Sequence, residues 1–316
     1  MDSVKPAIEP SQVLNLLSEH FDRPVGQLAP LGTGHIARVF SFQAGGQDYV
    51  IRFVSAKMDV SFKKEMFIAN LLASTDIPLP AILYQGAFQD FYFAITPKAP
   101  GIPLDELPAE EYKQLIPVVM KTLAAIHQVD VSHTDKYGLF DDTGVGLFSS
   151  WQAYLLSVVE EEAEDGFFGK WHRLFEESLL ERELFDMVFE QMKTCLVYLP
   201  NERFLVHGDY GFNNVLAKDG KITAVLDWAN AQYGDFVYDI AWLDYYSPDV
   251  GYGARFQQYY QAQNRFVPHF EERLRCYKCY ISLNALRFFA KFDQPEAYGW
   301  VRKRIFDILG ALPAQV

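Results

Sequence analysis

Apolar and polar residues recur with two different periods along this chain. ARVFSFQAG and QDYVIRFVS alternate with the period of strands and are separated by Gly45-Gly46, which predicts a hairpin. Upstream, residues 10–21 carry Val13, Leu14, Leu16 and Leu17 on one side of a helix, with Ser11 in the N-cap position. Downstream, FKKEMFIANLLAST repeats with helical spacing through Phe62, Met66, Ile68, Ala69 and Leu72, and Pro78 and Pro80 end it. AILYQGAF and FYFAIT then read as two more strands around Gln89-Asp90. The first hundred residues therefore predict helix, hairpin, helix, hairpin.

After Thr96 the texture changes. Pro97, Pro100, Gly101 and Pro103 form a stiff connector. It marks a boundary between a lobe over 1–97 and a lobe over 98–316, with a hinge near 95–101. Helical spacing dominates beyond it, over 110–128, 150–165, 172–198, 234–247, 252–266 and 270–290, and in a last helix with Ile305 and Leu309. A small island of strands interrupts the helices: Phe204–Val206, Val215–Ala217 and Ile222–Leu226, the last two joined by Lys218-Asp219-Gly220-Lys221. The fold class is α+β.

With 316 residues, half of them hydrophobic and 16% aromatic, the chain can bury a large core. Its net charge of −13 leaves no basic stripe, which argues against nucleic acid as a partner. An acidic surface suits a cationic ligand, although solubility alone accounts for the bulk number. The first twenty residues hold no uninterrupted apolar core, and no apolar run is long enough to span a bilayer, so a cytoplasmic protein is expected. Cys276-Tyr-Lys-Cys279 has metal-like spacing, but with only Cys195 beside it the pair reads as ordinary helix cysteines.

The chemistry concentrates in FLVHGDYGFNNVLAKDGKITAVLDW, residues 204–228. A hairpin here folds the chain back, so Asn214 at its entrance and Asp227 at its exit should end close together, with Asp209 on the loop before them. One carboxylate to handle a hydroxyl proton, plus an amide and a second carboxylate, is what metal-assisted phosphoryl transfer needs. Magnesium takes such hard oxygen donors and fills its shell with water and phosphate. No G-x-S-x-G supports a serine hydrolase, and His133 and His172 lack a zinc pattern.

The H-x-D-x-x-x-x-N of His207, Asp209 and Asn214, followed by a strand ending in Asp227-Trp228, resembles the aminoglycoside phosphotransferase family. LVHGDYGFNNVL, GKITAVLDWANAQYGD, FSFQAGGQDYVIR, IPLPAIL and YGLFDDTGVGLFSSW are most similar to members that phosphorylate hygromycin B, and the likeness runs from about residue 30 to about residue 245. The resemblance implies a two-lobed protein-kinase-like fold and ATP with magnesium as cofactors. It makes Asp209 the catalytic base, Asn214 and Asp227 the metal ligands, and His207 a brace. In GDFVYDIAW it gives Asp235 and Asp239 capping or bracing roles. On the nucleotide side, Gly32, Thr33 and Gly34 of LGTGHIARVF would approach the phosphates, with Ala37 in place of a third glycine. Arg52 stands where a lysine is expected; its apolar neighbours Val50, Ile51 and Phe53 favour a phosphate-anchoring cation over an exposed strand arginine, and Glu65 is its expected partner. Backbone groups near Thr96 and Lys98 would hold adenine.

Aminoglycosides are polycations rich in hydroxyls, so their site calls for carboxylates and aromatic walls. The acidic run Glu160, Glu161, Glu162, Glu164 and Asp165 is one candidate, though such a run also reads as a solvated helix face. Asn213, Trp228, Trp242 and Asp244 are the others; for Trp242 core packing competes, and for Asn213 a turn. The insertion over 128–200 decides the acceptor, which leaves a macrolide, choline, homoserine or another metabolite as alternatives. A non-catalytic pseudokinase has only Arg52 and Ala37 in its favour.

Overall fold

Alternate side chains along the first hairpin separate into two faces: Phe40, Phe42, Ala44, Ile51 and Phe53 are buried, and their neighbours are more exposed. The computed structural model describes residues 6–32, 37–56, 62–164 and 166–310. The chain divides into two compact units, one of residues 1–122, 141–144 and 211–229, the other of 123–140, 145–210 and 230–316. The single cut expected at residue 97 differs from this division, which runs through a helix and returns a hairpin to the first unit.

The first unit begins with α1 (Pro10–His20), followed by β1 (Val25–Leu31), β2 (Arg38–Ala44), β3 (Gln47–Ser55), α2 (Lys63–Leu72), β4 (Tyr84–Phe88) and β5 (Phe91–Pro97). The strands form an antiparallel sheet in the order β1-β2-β3-β5-β4. Val13, Leu16 and Leu17 of α1 join Phe40, Phe42, Ile51, Phe53, Phe93 and Ile95 in one core. The helix starts at residue 10 as expected, but its N-cap is Glu9, two residues before Ser11, with the Glu9 N–H donating to Gln12 Oε1 at 3.0 Å. Pro10 explains the shift, because its fixed φ suits the first helical position and its missing N–H costs nothing there. Strand β1 carries Gly26 and Pro30 and hid its period from sequence reading; as an edge strand it tolerates the proline.

The connector is more than a loop. It contains β6 (Ile102–Pro103), which leads to α3 (Ala109–Ile126), and the division between the units falls inside α3. In chain order the second unit then holds β7 (Tyr137–Phe140), β8 (Gly146–Phe148), α4 (Trp151–Leu156), α5 (Leu174–Glu177), α6 (Arg182–Cys195) and β9 (Phe204–Val206). The hairpin β10 (Val215–Lys218) and β11 (Lys221–Val225) belongs to the first unit and pairs with β6 in the order β11-β10-β6. Gly101 sits at φ +106, where a Cβ would strike the Ala217 carbonyl, so glycine is required for β6 to approach β10.

The second unit continues with β12 (Gln232–Gly234), α7 (Val237–Tyr246), α8 (Tyr252–Ala262), α9 (Phe270–Lys291) and α10 (Pro295–Leu309). Its antiparallel sheet runs β8-β7-β12-β9. The helix expected over 150–165 is only α4 and one 3-10 turn; the one expected over 172–198 is broken into a 3-10 turn, α5, α6 and a second 3-10 turn. Glu160–Glu164 instead belongs to an irregular loop, held where Trp171 Nε1 donates to the Glu160 carbonyl at 2.9 Å and the Phe168 N–H donates to Glu162 Oε2 at 3.0 Å. Among the described residues no helix is long and apolar enough to cross a membrane.

Helix α9 packs against α6, α7 and α10. Cys195, Cys276 and Cys279 are buried and reduced on α6 and α9, as ordinary helix residues. Burial pushes the Cys276 thiol upward and the Cys279 thiol up to about 12. The strongest polar tie to α9 is ionic. Asp235, wholly buried, accepts from Arg273 Nε at 2.8 Å, from Arg273 Nη2 and from the Tyr277 hydroxyl. Burial pulls the Arg273 pKa down, and Asp235 more than reverses it, leaving it raised. Arg273→Met strands a buried carboxylate and should lower unfolding free energy by about 3–5 kcal/mol, read by urea denaturation.

Candidate active site

Asp209 belongs to the second unit and follows directly from β9. The chain leaves that strand through His207 and Gly208, whose backbone N–H groups donate to Asp239 Oδ2 at 2.9 Å and Oδ1 at 2.8 Å. His127, at the end of α3, completes the clamp with Nε2 3.0 Å from Asp239 Oδ2. An ionised carboxylate only accepts, so His127 Nε2 carries the proton. His207 is wholly buried and its Nδ1 accepts the Asp209 N–H at 3.2 Å, which makes it the brace expected from the sequence. Gly208 has φ +83, and a Cβ there would run into the carbonyl of Asn230. Each constraint acts on backbone, and the product is a half-buried Asp209 on a turn tied by hydrogen bonds at successive residues. Tyr238 and Tyr246 of α7 lie within its electrostatic reach. Burial raises the pKa of both phenols and the Asp209 charge adds to the rise, so both stay neutral donors.

Asn214 and Asp227 belong to the first unit. Asn214 ends a 3-10 turn whose N–H donates to the Gly211 carbonyl at 2.8 Å, and its own carbonyl accepts the Leu226 N–H at 2.7 Å. With Val215 opposite Val225 in the hairpin, Asn214 and Asp227 stand at the same open end. Asn214 is buried and Asp227 is exposed. Asp227 adopts φ +56, rare for a residue with a Cβ, and its Oδ1 accepts the Ala229 N–H at 3.4 Å. One carboxylate and one amide at a shared end suit magnesium, which draws its remaining ligands from water and phosphate. Among the described residues there is no cluster of three or more His, Cys, Asp or Glu able to hold a metal by itself.

Arg52 of β3 meets Glu65 of α2 in a bidentate pair, Nη1–Oε1 2.8 Å and Nη2–Oε2 2.6 Å. Burial lowers the Arg52 pKa, but Glu65 and more weakly Asp227 outweigh it and leave it raised. The partner expected for Arg52 is therefore the one it has. Next to Glu65, Lys64 donates from Nζ to the Ala229 carbonyl at 2.8 Å. Burial lowers its pKa to about 8 against the pull of Asp142 and Asp227.

The remaining candidates divide. Gly32 has φ +69, a backbone conformation that favours glycine, whereas Thr33 and Gly34 lie outside the described residues. Thr96 is buried in β5 opposite Val50. The Lys98 N–H already donates to the Asp48 carbonyl at 2.9 Å, which removes it as a donor to adenine. Asn213 is exposed on its 3-10 turn. Trp242 is half-buried against Tyr246, ring centroids 4.8 Å apart, and its buried indole N–H has no hydrogen-bond partner among the described residues.

Two acceptor candidates are corrected, and the acidic run is partly engaged. Trp228 is wholly buried with Nε1 donating to the Val225 carbonyl at 3.1 Å, so it packs the hairpin. Asp244 spends one oxygen on the Gly253 N–H at 2.8 Å and the other on Lys278 Nζ at 2.5 Å. In the acidic run Glu161 pairs with Lys170 and Glu162 accepts the Phe168 N–H, Glu160 and Glu164 stay exposed on the loop, and Asp165 lies outside the described residues. Sequence reading missed Lys64, Tyr238 and Tyr246. Lys64 sits next to Glu65 and the tyrosines stand in the helix after GDF, but neither fact signals a contact without the fold.

Proteins of known kind share this chain's sequence and fold. The model of the Phosphotransferase enzyme family matches residues 27–273. Hygromycin-B 4-O-kinase of Escherichia coli is 30% identical over 285 residues, 89% of this chain and 80% of that protein. A crystal structure of a thermostable mutant of aminoglycoside phosphotransferase APH(4)-Ia, a ternary complex with AMP-PNP and hygromycin B, has a TM-score of 0.81 at 25% identity and covers 96% of this chain and 100% of that one. Macrolide 2'-phosphotransferase type I, at 16% identity and TM-score 0.67 over 95% of this chain and 98% of that one, shares the fold alone. The fold is kinase-like, and the match over most of the chain means that this protein belongs to the phosphotransferase enzyme family as a small-molecule kinase.

Proposed function

We propose that the chain transfers the γ-phosphoryl group of ATP to a hydroxyl of an aminoglycoside-type acceptor resembling hygromycin B. The observation that carries this reading is the Asp239 clamp on the amides of His207 and Gly208, which holds Asp209 as a base must be held. The relatives' named substrates supply the acceptor class. Phosphorylating such an antibiotic in the cytoplasm, where ATP is abundant, would confer resistance to it.

In the proposed reaction Asp209 accepts a hydrogen bond from the acceptor hydroxyl and takes its proton as the oxygen bonds to the γ-phosphorus. The bond from that phosphorus to the β–γ bridging oxygen breaks in line, and ADP leaves with the electron pair. Asn214 and Asp227 would hold magnesium, which when bound neutralises phosphate charge. Arg52, kept in place by Glu65, anchors the α- and β-phosphates, and the backbone of the Gly32 turn approaches them. Backbone near Thr96 holds adenine. Asn213 and Trp242 are the acceptor contacts that remain, an exposed amide and an aromatic wall for a sugar face. Residues 1–97 handle the nucleotide, and the acceptor binds within 98–316.

Asp209→Asn should lower kcat by about 10²- to 10⁴-fold in an ADP-release assay with hygromycin B, with AMP-PNP affinity little changed. Turnover at the wild-type rate would sink the role given to Asp209. A panel of aminoglycosides, a macrolide, choline and homoserine tests the acceptor: turnover confined to the last three replaces the aminoglycoside, and no turnover with any moves the acceptor to another metabolite. Gly208→Ala shifts the base without altering its chemistry, and a misplacement of about 1 Å should cost roughly 10²-fold in kcat while KM for ATP holds.

A further inference from the structure

Lys64 has no part in the chemistry set out above, yet it makes a specific long-range contact. Its ammonium donates to the carbonyl of Ala229, 165 residues away in sequence and two residues past Asp227. We propose that Lys64 is a positioning residue for the turn that carries Asp227, fixing that carboxylate for magnesium from helix α2. The inference rests on the reading that Asp227 is a metal ligand.

The turn needs an external anchor. Asp227 is in the left-handed region at φ +56, a conformation uncommon for L residues although aspartate tolerates it better than most, so bonds on both sides of the turn matter to its position. On one side the Leu226 N–H is tied to the Asn214 carbonyl. On the other, the Asp227 carboxylate reaches the Ala229 N–H only at 3.4 Å, a long bond that a metal would compete for. The Ala229 carbonyl is therefore the point at which the exit of the turn is held, and Lys64 is its donor. An exposed carbonyl would be satisfied by water, so ordering a long lysine side chain onto it makes sense where position matters.

Helix α2 makes the anchor informative. Consecutive residues on a helix diverge by about 100°, so Glu65 and Lys64 face different neighbours. Glu65 grips Arg52, the proposed phosphate anchor, and Lys64 grips the Asp227 turn. A single rigid helix thus sets the spacing between the cation that meets phosphate and the carboxylate that meets metal. Lys63 is an internal comparison: it is exposed, and its ion pair with Asp142 spans 3.9 Å.

The experiment uses the full chain carrying Lys64→Met, Lys64→Arg, Lys63→Met or Asp227→Asn. Two quantities are read: the magnesium concentration giving half-maximal turnover of ATP with hygromycin B, and the gain in AMP-PNP affinity on adding magnesium, by calorimetry. Lys64→Met should raise the half-saturating magnesium and shrink the affinity gain by about tenfold, the range found when a partner that orients a metal ligand is removed. AMP-PNP binding in EDTA should not change. Lys64→Arg should recover most of the loss, and Lys63→Met should match the wild type. Wild-type magnesium dependence in Lys64→Met, where Asp227→Asn has lost it, overturns the role of Lys64 alone. Wild-type dependence in Asp227→Asn overturns the metal reading beneath it. If circular dichroism shows that Lys64→Met is unfolded, Lys64→Gln replaces it, and unchanged magnesium dependence there overturns the proposal.

Discussion

A charge removed from water must be met by partners, and the second unit is organised around one such charge. Asp239 is wholly buried, and its two oxygens receive the His207 and Gly208 amides and His127 Nε2. Charge-assisted bonds of this kind are stronger than neutral ones, and breaking any of them leaves an uncompensated polar group inside. The carboxylate also lies in the first turn of α7, where the helix dipole favours it. The turn bearing Asp209 is thereby referenced to a helix instead of to solvent. Four residues earlier, Asp235 repeats the device toward α9 through Arg273 and Tyr277. Two acids in GDFVYDIAW thus connect the Asp209 loop to the helical core, which accounts for a sequence that places charge where a core is expected.

Much of this was legible in the order of the residues, because its causes are local. Gly45-Gly46 and Asp219-Gly220 made hairpins visible, and the fold-back that places Asn214 and Asp227 at one end followed from the second of them. The Arg52–Glu65 pair was legible because strand and helix positions each left one charged residue within a buried face. Strands β7, β8 and β12 were not, since three or four residues are too few to show a period and each contains a glycine. Gly234 is glycine because Trp151 occupies the space a Cβ would need, a relation that no local pattern carries.

The acceptor side was read least well, and for one physical reason: nearness in sequence says nothing of direction. Trp228 is next to Asp227 and turns inward; Asp244 follows the reactive segment and is consumed by Gly253 and Lys278. Part of the acidic run closes its own loop, through Glu161 and Glu162, while Glu160 and Glu164 stay exposed. Meanwhile Tyr246, passed over as one aromatic among many, lies within the field of Asp209. Lys64 was missed likewise, since a lysine on an amphipathic helix is ordinarily a solubilising residue, and only its bond to Ala229 distinguishes it.

The three cysteines have a practical side. All are sealed between helices, and burial leaves Cys276 and Cys279 poor nucleophiles at neutral pH. A maleimide dye therefore finds no ready attachment point on the native fold. One engineered surface cysteine would be labelled selectively without first stripping the natural ones, which opens the molecule to fluorescence tracking with its interior untouched.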